Sequence, residues 1–327
     1  MNNKIDSPKE PIMVSIKCLV YNHEKFIRET LEGFIMQKTN FRFEAIVHDD
    51  ASTDNTANII REYARKYPGI IKPIYEIENQ YSKKDSSLSR IINEACTGKY
   101  IAMCEGDDYW TDPYKLQKQV DFLESHPDYV LCSHQYRKFY QNTHSFDNSI
   151  LPRDFNKDFT FDLNYYILRE DWVTQPLTCM YRASAFDYDY YMKFKNKKDL
   201  IFFYVILKRG KGVLLNDCMG VYRIHEKGVR SGLSLNDKFI SELQTTKSIY
   251  DIEQNLTAAS MLKFFLQRNC KMFNLQIMKS ESKLILSVWG IIVKYFKAEG
   301  IILIMHQLHI KMKLQNLWNK TISIGKL

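Results

Sequence analysis

The chain has 327 residues, 45% of them apolar and 26% charged. That is enough for one large core with an appended region or for two domains, and it excludes a disordered or fibrous chain. The net charge of +8 is uneven, because from Asn236 onward 13 Lys and Arg stand against 6 Asp and Glu. The tail is also rich in apolar residues, which argues against a nucleic-acid surface as the meaning of that charge. Seven cysteines, odd in number and without a CxxC pair, read as reduced core residues of a cytoplasmic protein, with neither a disulfide framework nor a zinc site. Residues 1–10 are polar and lack a signal-peptide core, so a disordered leader is expected there.

In chain order, Met13 to Val20 forms a first strand, and Asn22 is placed to cap a helix running to about Gln37. Phe43 to Val47 is a second strand, and the helix after it carries Ile59, Ile60, Tyr63 and Tyr67 at helical spacing before Pro68-Gly69 stops it. Ile70 to Tyr75 makes a third strand, and a helix through Leu88, Ile91, Ile92 and Ala95 ends at Gly98. Tyr100 to Cys104 is a fourth, buried strand, and Pro113 to Glu124 the next helix. This alternation predicts an α/β domain with a doubly wound, mostly parallel sheet. Beyond it the pattern predicts a long strand from Tyr129 to Tyr140 and a polar loop from Gln141 to Asp158. A helix over 160–170, a strand from Thr174 to Tyr181, a helix from Leu200 to Lys208 and a strand from Gly212 to Leu215 follow. From Asn236 the tail is expected to be almost wholly helical.

Two strand ends are acidic. Glu105, Asp107 and Asp108 crowd the turn after the fourth strand, with Gly106 expected to let the backbone bend. Adjacent carboxylates repel unless a cation or a donor-rich ligand neutralises them. Asp49 and Asp50 end the second strand, in His48-Asp-Asp-Ala-Ser-Thr-Asp54, where Ser52 or Asp54 also suits a helix cap. Open α/β sheets bind ligands beyond the carboxyl ends of their strands. One pair can accept from a base or ribose, and one acid of the other can hold Mg²⁺ or Mn²⁺ against diphosphate oxygens. The chain has neither GxxxxGK[ST] nor GxGxxG, so a P-loop nucleotidase and a dinucleotide dehydrogenase are not supported.

With these residues in place the chain resembles the inverting family-2 glycosyltransferases of the GT-A fold, of the bacterial cell-surface polysaccharide type. The segments that carry the resemblance are VSIKCLVYNHEKFIRETLEGFIMQ, FEAIVHDDASTDNT, GKYIAMCEGDDYWTDPYKLQKQ and VYRIHEKGVRS, over roughly residues 11–235. The resemblance implies a nucleotide-sugar-binding catalytic domain over 11–235 and leaves 236–327 as a basic helical region. It implies that Asp50, with Asp49, contacts the nucleobase, that Asp107 contacts ribose, and that Asp108 holds Mn²⁺ or Mg²⁺. Asp199 matches the catalytic base, although Lys198 stands where the family often has Glu or Gly. The alternative for Asp199 is a helix cap. Arg223 and His225 match residues that approach diphosphate or metal, and the alternative for His225 is a satisfied surface or core histidine. UDP is the commonest nucleotide so implied, with a glycan or lipid-linked glycan as acceptor.

Two other classes compete. A phosphorelay receiver would use Asp49-Asp50 but leave the second acid cluster without a role. A non-catalytic nucleotide-sugar sensor would share the fold and the site. In the tail, Leu284 to Lys297 is apolar except for Ser287, Gly290, Lys294 and Lys297, and neither this run nor Ile301 to Trp318 reaches a spanning length. The expectation is a basic amphipathic pair lying on an anionic membrane surface at its inner face, with packing on a protein core as the alternative.

Overall fold

The computed structural model describes residues 10–152, 155–168, 173–226, 228, 233–269 and 280–324, without the side chains of 298 and 305–324. The expected leader, 1–10, thus falls outside the described residues except for Glu10. Contacts divide the chain into two compact units, Met1–Asp187 with Phe203–His225, and Tyr188–Phe202 with Glu226–Leu327.

The first unit is built on one sheet. Strands β1 (Val14–Val20), β2 (Phe43–Asp49), β3 (Ile71–Tyr75) and β4 (Tyr100–Met103) run parallel in the order β3-β2-β1-β4. Helices α1 (Ile27–Ile35), α2 (Thr56–Lys66) and α3 (Ser87–Ala95) connect them. β2 is buried along its whole length and β1 nearly so, as expected of parallel strands covered on both faces. Two of the polar residues of β1 are bonded internally: Ser15 Oγ donates to Glu44 at 2.8 Å, and Lys17 Nζ to Asn93 Oδ1 at 2.7 Å. From β1 the chain winds outward to β3 and then returns to lay β4 on the other side of β1. The carboxyl ends of β1 and β4 therefore flank the point where strand order reverses, the crevice such sheets offer to ligands.

The sheet continues β4-β9-β6-β10-β5 with β5 (Tyr109–Trp110), β6 (Tyr129–Tyr140), β9 (Met180–Arg182) and β10 (Lys211–Ile224). β6 and β10 are mutually parallel, while β9 pairs antiparallel with both β4 and β6. Several sequence expectations change here. The loop expected over 141–158 contains β7 (Ser145–Leu151), a hairpin partner of β6 whose poor strand propensity yields to pairing with that long strand. The strand expected from Thr174 shrinks to β9, because Pro176 opens a 3-10 turn, Pro176–Thr178, and cannot donate to a ladder. The helix over 160–170 is α5 (Leu163–Leu168), preceded by a short strand, β8 (Phe159–Phe161), on β10. β10 extends well beyond Leu215, and its last turns carry the site. Two-residue β5 pairs antiparallel with β10 at Gly220 and Val221, which ties the turn after β4 to the far end of β10.

Helix α4 (Lys115–Ser125) follows β5. Trp110 packs at 5.0 Å from Phe34, donates its indole N–H to Leu177 at 2.9 Å, and lies under Lys115, whose Nζ is 3.7 Å from the ring centre. Burial pushes the Lys115 amine down to about 7, so the neutral form is accommodated with little cost near neutral pH.

The second unit is helical. It contains α6 (Tyr188–Met192), the start of α7 (Asp199–Leu207), α8 (Leu235–Glu253), α9 (Leu256–Arg268) and α10 (Ser282–Ile324). Ser234 caps α8 and Asn255 caps α9 with side-chain acceptors. α10 packs on α9 and buries Ile285, Val288 and Ile292, while Lys283, Ser287, Gly290, Lys294 and Lys297 share its exposed face. The backbone at Lys297 leaves helical geometry (φ 43°, ψ −117°) and kinks the helix. Among the described residues no helix is long and apolar enough to cross a membrane.

Candidate functional site

The acid turn follows β4 and is held from three sides. Gly106 N–H donates to Leu19 at 3.0 Å, prolonging the β1–β4 ladder, and Thr30 Oγ1 on α1 is bonded to the carbonyls of Gly106 (3.1 Å) and Asp108 (2.7 Å). Gly106 is needed for space, since no described glycine has a positive φ. A Cβ there would lie 2.9 Å from both His23 Nδ1 and Val20. The third support is Arg223 at the end of β10. Its backbone N–H donates to Asp108 Oδ1 at 2.8 Å, its Nε to the Asp107 carbonyl at 2.8 Å and one terminal nitrogen to Gln141 at 2.6 Å, while the other pairs with Glu29. The guanidinium also lies 4.9 Å from the Phe26 ring centre and 5.2 Å from that of Tyr109. Arg223 is 5% exposed, and its polar atoms are spent on the chain.

The two aspartates of this turn are therefore unlike. Asp108 is 4% exposed, and burial together with the neighbouring Asp107 charge pushes its carboxyl well above the usual range. Asp107 keeps an exposed edge, with Oδ2 at 3.1 Å from His225 Nε2 and 3.9 Å from His23 Nε2. Burial opposes its ionisation, but the His225 hydrogen bond and the two imidazoles outweigh it and leave the carboxyl below its ordinary value. Glu105 is exposed. Among the described residues no three His, Cys, Asp or Glu side chains are gathered closely enough to hold an ion by themselves.

The acidic end of β2 shows a similar division. Asp50 is buried and accepts two backbone N–H groups, from Gln80 at 2.6 Å and Tyr81 at 3.1 Å, while Asn79 donates to its carbonyl at 3.0 Å. Its carboxylate thereby fixes the loop after β3. Asp49 is also buried, and burial raises its carboxyl against the hydrogen bonds of Ser52. Among the described residues its Oδ1 has no hydrogen-bond partner. Asn22, expected as a helix cap, instead latches this loop to the one after β1: its Oδ1 accepts Thr53 N–H at 2.8 Å and its N–H donates to Ser52 at 2.9 Å. Of the two cap candidates, Asp54 bonds the Thr56 N–H at 3.0 Å at the start of α2.

Asp49, Asp50, Asp107, Asp108, Arg223 and His225 all belong to the first unit, at the carboxyl ends of β2 and β4 and the end of β10. Asp199 belongs to the second unit, exposed, as the first residue of α7. Sequence reasoning passed over His23, Thr30, Glu29 and Gln141. His23 alone had a signal, since it follows β1 on the same rim as the acid turn.

The model of glycosyl transferase family 2 matches residues 15–189, more than half of the chain. An uncharacterized protein of Mycobacterium tuberculosis is 35% identical over 228 residues, 66% of this chain and 60% of that protein. The chain thus spans less than two thirds of the length of that relative. The Escherichia coli UDP-Glc:alpha-D-GlcNAc-diphosphoundecaprenol beta-1,3-glucosyltransferase WfaP is 32% identical over 124 residues, 38% of this chain and 46% of that protein. Among solved structures, S. aureus TarS in complex with UDP-GlcNAc superposes with a TM-score of 0.63 at 18% identity, covering 89% of this chain and 84% of that one. The mannosyltransferase PcManGT of Pyrobaculum calidifontis, in complex with GDP-Man and Mn²⁺, gives 0.51 at 17% identity over 95% and 88%. These structural likenesses establish the GT-A fold, and the family match establishes that the chain belongs to glycosyl transferase family 2.

Proposed function

We propose that the protein moves a sugar from a nucleoside diphosphate sugar to an acceptor hydroxyl with inversion at the anomeric carbon, aided by Mn²⁺ or Mg²⁺ at the acid turn. The observation that carries this reading is the exposed edge of Asp107 beside His225, 3.1 Å away, at the switch point of the sheet. Asp107 and His225 are the residues that would hold a divalent cation, and a diphosphate would supply the oxygen donors that the described residues do not themselves gather. Buried Asp108, engaged by Arg223, suits it less. The roles read from the resemblance are accordingly exchanged here, with Asp107 and His225 as cation ligands and Asp108 as an anchor of the turn. Arg223, whose polar atoms are engaged by the chain, is likewise assigned to holding the turn and not to the diphosphate. Asp49, whose Oδ1 lacks a partner among the described residues, is the acid we assign to the nucleobase, and Asp50 shapes the loop beside it. A bound cation supplies positive charge that offsets the charge of the leaving diphosphate.

Asp199 is the base of this mechanism. It takes the proton of the acceptor hydroxyl as that oxygen attacks the anomeric carbon from the face opposite the diphosphate. The bond to the leaving oxygen breaks with its electron pair, and no covalent enzyme intermediate forms. We take residues 11–235 to hold the catalytic domain. UDP as nucleotide and a lipid-linked glycan as acceptor are supported by the name of WfaP, and we place the reaction in cell-surface polysaccharide assembly at the cytoplasmic face of a membrane. The exposed Lys283, Lys294 and Lys297 of α10 support a contact with anionic headgroups. Flotation of the full chain with anionic but not neutral vesicles at low salt is the expected result, and indifference to both would refute that contact.

The reaction is tested with a panel of nucleotide sugars and NMR of the product anomer. Wild type should give inversion, and Asp199→Asn should lower transfer by roughly 10²–10⁴-fold with donor affinity kept. Retention would overturn the mechanism, and near-normal turnover in the variant would leave Asp199 as a residue of the helix start. Donor binding without any transfer or hydrolysis by wild type would make the protein a sensor.

A further inference from the structure

His23 lies on the loop between β1 and α1, with its ring against Gly106. Its Nδ1 is buried and has no hydrogen-bond partner among the described residues, and the missing Cβ of Gly106 is what admits it, since that atom would lie 2.9 Å away. A buried N–H left without an acceptor is rarer and costlier than an unfilled lone pair. The proton of the neutral ring therefore belongs on Nε2, the nitrogen that reaches the open side. There Nε2–H points toward Asp107 Oδ2 at 3.9 Å, too far for a hydrogen bond. His225 Nε2 already lies 3.1 Å from that same oxygen. The ring is held in place by Phe26, at 6.2 Å between centres, and by His225, edge-on at 6.3 Å.

From this geometry we infer that His23 is a donor-binding residue whose Nε2–H is presented to an anionic oxygen of the diphosphate. The inference rests on the reading of Asp107 and His225 as the place where a cation and a nucleoside diphosphate meet. A ligand there must bring acceptor oxygens close to Asp107, and His23 offers an N–H beside that carboxylate that no described residue accepts. The hydrogen bond strengthens as charge gathers on the leaving oxygen. His23 keeps its proton throughout, so the step needs no acid from this residue.

Two variants separate donation from packing. His23→Phe keeps a ring over Gly106 without the N–H, and His23→Gln restores a donor near the position of Nε2. Binding of UDP and GDP with Mg²⁺ is measured by calorimetry beside UMP and GMP, and the histidine tautomer is read from ¹⁵N–¹H NMR spectra of the full chain. The expected result is an Nε2–H tautomer for His23, whose signal moves when Mg²⁺ and the bound diphosphate are added. His23→Phe should bind the diphosphate roughly 10–100-fold more weakly and the monophosphate unchanged. His23→Gln should recover most of the loss. Equal diphosphate affinity in His23→Phe, or an Nδ1–H tautomer, overturns the inference while leaving the cation site standing. Parallel loss of mono- and diphosphate binding assigns His23 to the nucleoside side instead. Failure of the wild type to bind any nucleoside diphosphate refutes the site reading itself, and the inference with it.

Discussion

The two acidic strand ends of the first unit look alike in sequence and behave differently in space. At the end of β2 both aspartates are buried: Asp50 accepts from the amides of Gln80 and Tyr81, and Asp49 has an oxygen without a partner among the described residues. At the end of β4 only Asp108 is buried, bound by the Arg223 N–H, and Asp107 stands at the rim beside two histidines. In each pair the second acid is engaged by the chain, and under the proposed function the first is the one that meets a ligand. The difference lies in what surrounds the first. Asp49 is enclosed, as suits an acceptor that reads one donor of a base, and Asp107 is half-open between imidazoles, as suits a cation with oxygens of its own to bring. An acidic pair at a strand end is thus better read as one anchor and one offered group than as two equivalent ligands.

Stability measurements can break this division. Asp50→Ala should have the largest effect, because two loop N–H groups lose a buried acceptor, at a cost on the order of 2–4 kcal/mol in urea unfolding. Asp108→Asn keeps an acceptor for the Arg223 N–H and should cost about 1 kcal/mol or less. Asp107→Asn, at the rim, should stay within about 0.5 kcal/mol of wild type. A reversed order, with Asp107→Asn the most damaging to folding, would show that the anchor and the offered group had been exchanged.

Much of the fold was legible because the parallel half obeys local rules. Buried apolar runs, helical spacing and the stops at Pro68-Gly69 and Gly98 are all written in neighbouring residues. What lay hidden depends on partners far along the chain. Ser145–Leu151 becomes a strand only because β6 offers an edge, and β5, two residues long, exists only because β10 reaches it. The site followed the same rule. The acid clusters were visible as clusters, but which acid serves the chain depends on Arg223, 115 residues from Asp108, and on amides 30 and 31 residues after Asp50. Gly106 invited explanation as a bend, whereas its lack of a side chain makes room for Val20 and His23. Asn22 had the composition of a cap and serves as a latch between two loops.

The central claim is that Asp107, and not Asp108, is the acid offered to a cation and a donor nucleotide. Its most direct test is a thermal-shift titration of wild type, Asp107→Asn and Asp108→Asn with UDP, GDP and dTDP, each with and without Mn²⁺, since a ligand that binds the folded state raises its apparent stability. The account predicts that Asp107→Asn loses the Mn²⁺-dependent part of the shift, while Asp108→Asn keeps it on a lower baseline. A Mn²⁺-dependent shift that survives in Asp107→Asn and vanishes in Asp108→Asn would contradict the account.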